Sequence, residues 1–123
     1  HPEEVKVTLR ALRDKYPNKN LICVFHPHTF TRTKALFSEF AQSFDRADEV
    51  IILDIYGSAR EKQGGTSSEA LVEKMKMFHR EVYHLKTLED AFEDLKDRVG
   101  NNDVVVTMGA GNVCDLASKL AKS

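Results

Sequence analysis

The sequence predicts an α/β fold, a Rossmann-like and mainly parallel sheet with helices on both faces. Three observations carry that reading. Residues 21–25 (Leu-Ile-Cys-Val-Phe) and 50–53 (Val-Ile-Ile-Leu) are short continuous apolar runs, the pattern of strands buried on both sides. The segments between such runs place apolar residues at helical spacing, with charge on the remaining face. Helix and strand signals alternate along the chain, which favours crossover connections and therefore parallel pairing.

The first helix is predicted over residues 3–16, where Val5, Leu9 and Leu12 share a face and Lys6, Arg10, Arg13 and Lys15 occupy the rest. Pro2 suits a first turn, because its missing N–H has no partner to lose there. Asn18 and Asn20 break the pattern before the strand at 21–25. A second helix over 33–44 carries the stripe Leu36, Phe37, Phe40, Ala41 and Phe44, and a second buried strand follows at 50–55. The Gly- and Ser-rich stretch 57–68 leads to a helix over 69–78 and a short strand over 81–85. Residues 87–99 are helical by the spacing of Leu88, Ala91, Phe92 and Leu95, with Thr87 as N-cap and Asp90 in the capping-box position. A strand at 104–107 and a helix at 111–120 complete the pattern.

A chain of 123 residues fits one core, and no repeat, low-complexity tract or composition shift marks a second domain. Residues 1–123 are therefore expected to form a single domain. The chain opens in a helix with no strand before it, as a piece of a longer protein would. With 18 Lys+Arg against 19 Asp+Glu the net charge is −1, which argues against nucleic acid or an anionic membrane as partner. No apolar run approaches the ~20 residues that span a bilayer, and no signal peptide opens the chain, so a soluble, cytoplasmic protein is expected. Cys23 lies in an apolar run and Cys114 in a helix-like segment, without CxxC or Cys/His spacing. Two reduced thiols, and no metal site, are expected.

Ligands of open α/β sheets bind beyond the C-terminal ends of the strands, so the loops there carry the functional reading. The first, His26-Pro27-His28-Thr29-Phe30-Thr31-Arg32-Thr33, offers imidazoles, hydroxyls and a guanidinium where a helix start already favours an anion. The alternative is structural: Thr31 caps the helix, Arg32 is solvated and the histidines bind backbone. The second loop runs from Tyr56 through Gly57, Arg60, Glu61 and Gly65; Arg60 and Glu61 could hold the carboxylate and ammonium of a zwitterion, or simply be solvated. The third, Met108-Gly109-Ala110-Gly111-Asn112-Val113, begins like GxGxxG, but Cys114 replaces the third glycine. Its glycines suit a tight strand-to-helix turn and a close approach by a ligand or neighbouring domain. No GxxxxGK[ST], GxSxG or HExxH sequence occurs, so no self-contained catalytic machine is visible.

The strings Val24–Thr33, Asp54–Glu61 and Met108–Asn112, in that order, resemble the C-terminal domain of the Mur ligase family, and the match spans most of the chain. The opening His1-Pro2-Glu3-Glu4-Val5 resembles the family's hinge from the central domain. The Pro27 to Thr33 loop is the most specific motif and points to the alanine-adding branch; the Gly-Ser-Ala-Arg-Glu string and Phe30 look more like Gram-positive members. The resemblance implies a three-domain, ATP- and Mg²⁺-dependent enzyme of peptidoglycan synthesis. Its N-terminal domain binds the UDP-sugar, its central domain carries the P-loop and magnesium sites, and its C-terminal domain closes over them.

The substrates implied are ATP, UDP-N-acetylmuramate and L-alanine, with an acyl-phosphate intermediate; the isolated domain is expected to be inactive and to hold no cofactor. By the same resemblance His28 and Arg32 face the closed site with His1 nearby. Tyr56, Arg60 and Glu61 fall where related ligases select the amino acid. Thr29, Thr31, Gly109, Gly111 and Asn112 belong to the loops that close. Thr29 stands where other branches carry Arg, and Asn112 departs from the Gly-Lys-Gly-His pattern of later Mur ligases. Two other readings remain: a stand-alone small-molecule or phosphate-binding module using His28 and Arg32, and an interaction domain docking a protein through residues 57–68.

Overall fold

The computed structural model describes residues 2–27, 37–54, 68–79 and 81–109. Four helices and four strands alternate among them: α1 (Pro2–Lys15), β1 (Asn20–His26), α2 (Phe37–Ala41), β2 (Glu49–Ile52), α3 (Ser68–Met75), β3 (Val82–His84), α4 (Leu88–Leu95) and β4 (Asp103–Gly109). The strands form one sheet in the order β3-β2-β1-β4 with every pair parallel. The predicted α/β sheet is therefore present. The helix predicted at 111–120 lies outside the described residues.

Strand alternation divides the apolar residues between two faces. Leu21, Cys23 and Phe25 of β1, with Val50 and Ile52 of β2, pack with Val5 and Leu9 of α1, Phe40 and Ala41 of α2, and Leu71, Val72 and Met75 of α3. The residues between them in sequence, Ile22, Val24, Ile51 and Leu53, pack on the opposite face with Ala91 and Leu95 of α4. Both faces of β1 and β2 are dry, which is why their sequences are continuous rather than alternating. Phe25 anchors the first face, its ring centroid 5.3 Å from both Phe40 and Phe44. Each fully buried aliphatic side chain of this kind contributes roughly 1.5–3 kcal/mol.

Local signals set the helix ends. Glu3 and Glu4 stand in the first turn of α1, and Arg13 and Lys15 in the last, matching the helix dipole. Before α4, the Asp90 N–H donates to Thr87 Oγ1 at 3.1 Å and the Thr87 N–H to the Asp90 carboxylate at 3.3 Å, the predicted capping box. Three predicted helices end early. After Ala41 the chain turns through Gln42 N–H to Glu39 O and Ser43 N–H to Phe40 O, and Phe44 reaches the core from that turn. After Met75 the bonds tighten to Met77 N–H to Lys74 O and Phe78 N–H to Met75 O, which leaves Met77 and Phe78 exposed. After Leu95, Arg98 N–H to Leu95 O closes a similar turn. Strand β2 stops at Ile52, where its pairing with both β1 and β3 ends.

The N-terminal edge of the sheet is occupied by polar groups that satisfy one another. Arg13 donates to the carbonyls of Lys19 and Arg46 and to Asp48, whose carboxylate accepts the Leu21 N–H at 2.8 Å. Arg98 pairs with Glu49 and Asp94 at 3.0 Å each, and the Tyr83 hydroxyl donates to Asp94 at 3.1 Å. Burial raises the Tyr83 phenol above its ordinary range. Among the described residues no helix is long and apolar enough to cross a membrane.

Candidate functional site

Because every pairing is parallel, all four strands deliver their following segments to one edge. The order β3-β2-β1-β4 also fixes a switch point. From β1 the chain winds outward through β2 to β3, then crosses back to place β4 on the other side of β1. In open parallel sheets ligands bind at such a switch point, here between the C-terminal ends of β1 and β4. His26 and Gly109, the last residues of the two strands, are register partners there. Gly109 has φ 116°, and a Cβ on it would lie 2.1 Å from the His26 carbonyl oxygen. Glycine is thus required by the neighbouring strand itself, a nearer cause than the approaching ligand or domain expected from sequence. Pro27 is buried directly beyond β1.

One strand further out, three polar side chains from three elements converge on the same edge. Asp54 follows β2, Glu69 stands in the first turn of α3, and His84 ends β3. His84 Nε2 lies 2.6 Å from Asp54 Oδ1 and 3.4 Å from Glu69 Oε1. Hydrogen bonds to backbone carbonyls hold the carriers in place: Ser68 Oγ donates to Leu53 O, Leu85 N–H to Ile52 O at 3.0 Å, and Asp54 N–H to Lys86 O at 3.2 Å. The sequence reading passed over this cluster, because its members are distant along the chain and meet only through the register that pairs Ile52 with His84.

Of the residues singled out from sequence, Gly109 is described and sits at the switch point. His1, His28, Thr29, Thr31, Arg32, Tyr56, Arg60, Glu61, Gly111 and Asn112 lie outside the described residues. The first loop leaves from Pro27 at the end of β1, and the third from Gly109 at the end of β4. Cys23 is buried within β1, and burial pushes its thiol up to about 12, so it is neither a nucleophile nor a metal ligand at neutral pH.

The family described as Mur ligase, glutamate ligase domain, matches residues 1–111. The chain belongs to the Mur ligase family. As a Mur ligase domain it is 42% identical over 119 residues to the UDP-N-acetylmuramate--L-alanine ligase of Caldanaerobacter subterraneus subsp. tengcongensis, covering 97% of this chain and 26% of that protein. It is 39% identical over 122 residues to the ligase of the same name from Sulfurihydrogenibium sp., covering 99% of this chain and 27% of the relative. This Mur ligase domain thus spans about a quarter of the length of the curated relatives it matches. Its fold is shared with UDP-N-acetylmuramate-alanine ligase MurC from Thermotoga maritima, at TM-score 0.77 and 20% identity over 99% of this chain and 24% of that one. It is shared equally with a murein peptide ligase from Psychrobacter arcticus, at TM-score 0.78 and 17% identity over 99% of this chain and 25% of that one.

Proposed function

We propose that this chain is the C-terminal lid of a three-domain, ATP-dependent ligase that joins L-alanine to UDP-N-acetylmuramate in peptidoglycan synthesis. The observation that carries the reading is the 42% identity across 97% of the chain with a ligase of that name. In the complete enzyme, the lactyl carboxylate of the sugar would accept a phosphoryl group from ATP. The L-alanine amine would then attack the acyl phosphate, releasing phosphate and ADP as the amide forms. This chain has no GxxxxGK[ST] loop to cradle the phosphates of ATP, so ATP and its Mg²⁺ would be held by the central domain.

The lid's contribution is closure. An acyl phosphate hydrolyses if water reaches it, and a domain that swings in excludes water and completes the site only once substrates are bound. His28 and Arg32, carried by the loop that leaves the switch point, would meet the charge that develops during acyl transfer, with His1 at the hinge. Tyr56, Arg60 and Glu61 would contact the amino acid. Thr29, Thr31, Gly109, Gly111 and Asn112 would shape the closing loops. The setting is the cytoplasm, where ATP and the UDP-sugar are available.

The test is phosphate release from ATP in the presence of UDP-N-acetylmuramate and L-alanine. The 123-residue chain alone should release none, and the same chain joined to the N-terminal and central ligase domains should turn over. A joined, folded chain that ignores L-alanine would overturn the assignment, and tight phosphate binding by the chain alone would favour a stand-alone module.

A further inference from the structure

We propose that Asp54, Glu69 and His84 form a binding site for a divalent transition-metal cation, with zinc the best match to the donors. One imidazole nitrogen and two carboxylate oxygens all lie within 4.8 Å of one another. This is a mixed N/O set with no thiolate: imidazole favours zinc and its neighbours over magnesium or calcium, and carboxylates complete a three-ligand site with room for water. It differs in kind from an oxygen-only magnesium site on nucleotide phosphates, and it does not depend on the ligase assignment.

The spacing fits such an ion. Ligands ~2.0–2.1 Å from a tetrahedral zinc sit ~3.3 Å from one another. The separation of His84 Nε2 from Glu69 Oε1 is 3.4 Å, already at that value. Its 2.6 Å contact with Asp54 Oδ1 is a hydrogen bond, which must open by ~0.7 Å as the metal takes the place of an Nε2 proton and the imidazole keeps its proton on Nδ1. The carboxylates can make that adjustment, since their side chains are 50% and 68% exposed, whereas the imidazole is held at 17%. The fourth position would be taken by water or a ligand atom. Charge acts in the same direction: two carboxyl groups face one imidazole, an excess of acidic groups that a divalent ion would balance. The ligands come from the end of one strand, the segment after another and a helix start, all tied by hydrogen bonds to backbone carbonyls. The backbone that carries the three ligands is therefore set by the fold before the ion arrives.

Zinc chloride titrated into the 123-residue chain at neutral pH, followed through the imidazole nitrogen and proton resonances of His84, tests the site. One equivalent should shift the Nε2 resonance. Asp54→Asn and Glu69→Gln keep the shape of exposed side chains and should each weaken binding ~10-fold or more, and His84→Gln should abolish it. His79→Gln, which alters a ring bonded to the Ala47 carbonyl, should leave affinity unchanged. A His84 resonance unmoved by zinc up to roughly 1 mM overturns the proposal, as does equal affinity in the folded His84→Gln chain, which would place the ion elsewhere.

Discussion

Gly109 and His26 approach so closely across the β1–β4 pair that a Cβ on the glycine would sit 2.1 Å from the histidine carbonyl oxygen and 2.8 Å from its carbonyl carbon. Both atoms belong to backbone, so no side-chain rotation relieves the clash. The glycine's φ of 116° is itself unfavourable for any L side chain. Gly109→Ala should destabilise the fold by about 2–4 kcal/mol, read as a lower urea midpoint with unchanged slope. A variant as stable as wild type would show that the strands can part here at no cost.

Asp48 ties stability to acid. Burial raises its pKa, but the Leu21 N–H and the Arg13 guanidinium outweigh burial, with His79 adding to them, and hold the carboxyl below its ordinary 3.8. A depressed folded pKa means that the stabilisation is complete above the unfolded value and is lost as pH falls through the folded one. Asp48→Asn should be less stable than wild type at pH 7, and the gap should close as pH drops below 3.8. Urea melts at both extremes measure it; a gap that is constant with pH would contradict the coupling.

The capping box of α4 is separable from the core, because Thr87 and Asp90 are both exposed. Thr87→Ala should cost about 1 kcal/mol, the usual loss for an N-cap hydroxyl, again as a shifted urea midpoint. Thr87→Ser, which keeps the acceptor, should cost less.

Cys23 should be chemically silent while the chain is folded. Its sulfur is buried within β1 and its thiol is pushed up to about 12, so neither access nor thiolate is available. In a Cys114→Ser background, a thiol reagent should react with nothing in native buffer and with one equivalent in denaturant. Rapid native labelling would mean that β1 opens readily.

On the ligase reading, Arg32→Ala in the joined full-length enzyme should lower turnover ~100-fold or more while leaving the fold nearly intact, as loss of an electrostatic contact to the transition state does. Steady-state phosphate release checks it, and unchanged kinetics would remove Arg32 from the site.

What the sequence made legible was what short-range pattern controls. The run from Leu21 to Phe25 announced a strand dry on both faces, and Thr87 with Asp90 announced a helix start; both are in place. Helix ends were less legible. Met77 and Phe78 extend the apolar pattern of α3, yet the chain turns after Met75 and leaves both in solvent, because tertiary placement rather than spacing decided where the helix stopped. Least legible was the Asp54, Glu69 and His84 cluster. It depends on which strands are neighbours and in what register, and nothing near any one of the three residues encodes that. Gly109 was visible as a glycine in a strand-to-helix junction, but the reason for it, the His26 carbonyl, belongs to a strand far away in the chain.

Strand β1 is flanked by β2 and β4 and roofed on both faces, so its amides should exchange with solvent only when the whole domain unfolds. The segment beginning at Pro27 therefore springs from the stiffest part of the molecule. Leverage follows on the proposed lid reading: closure would have to be carried by rotation of the entire body, since the base at His26 and Pro27 has no slack to contribute.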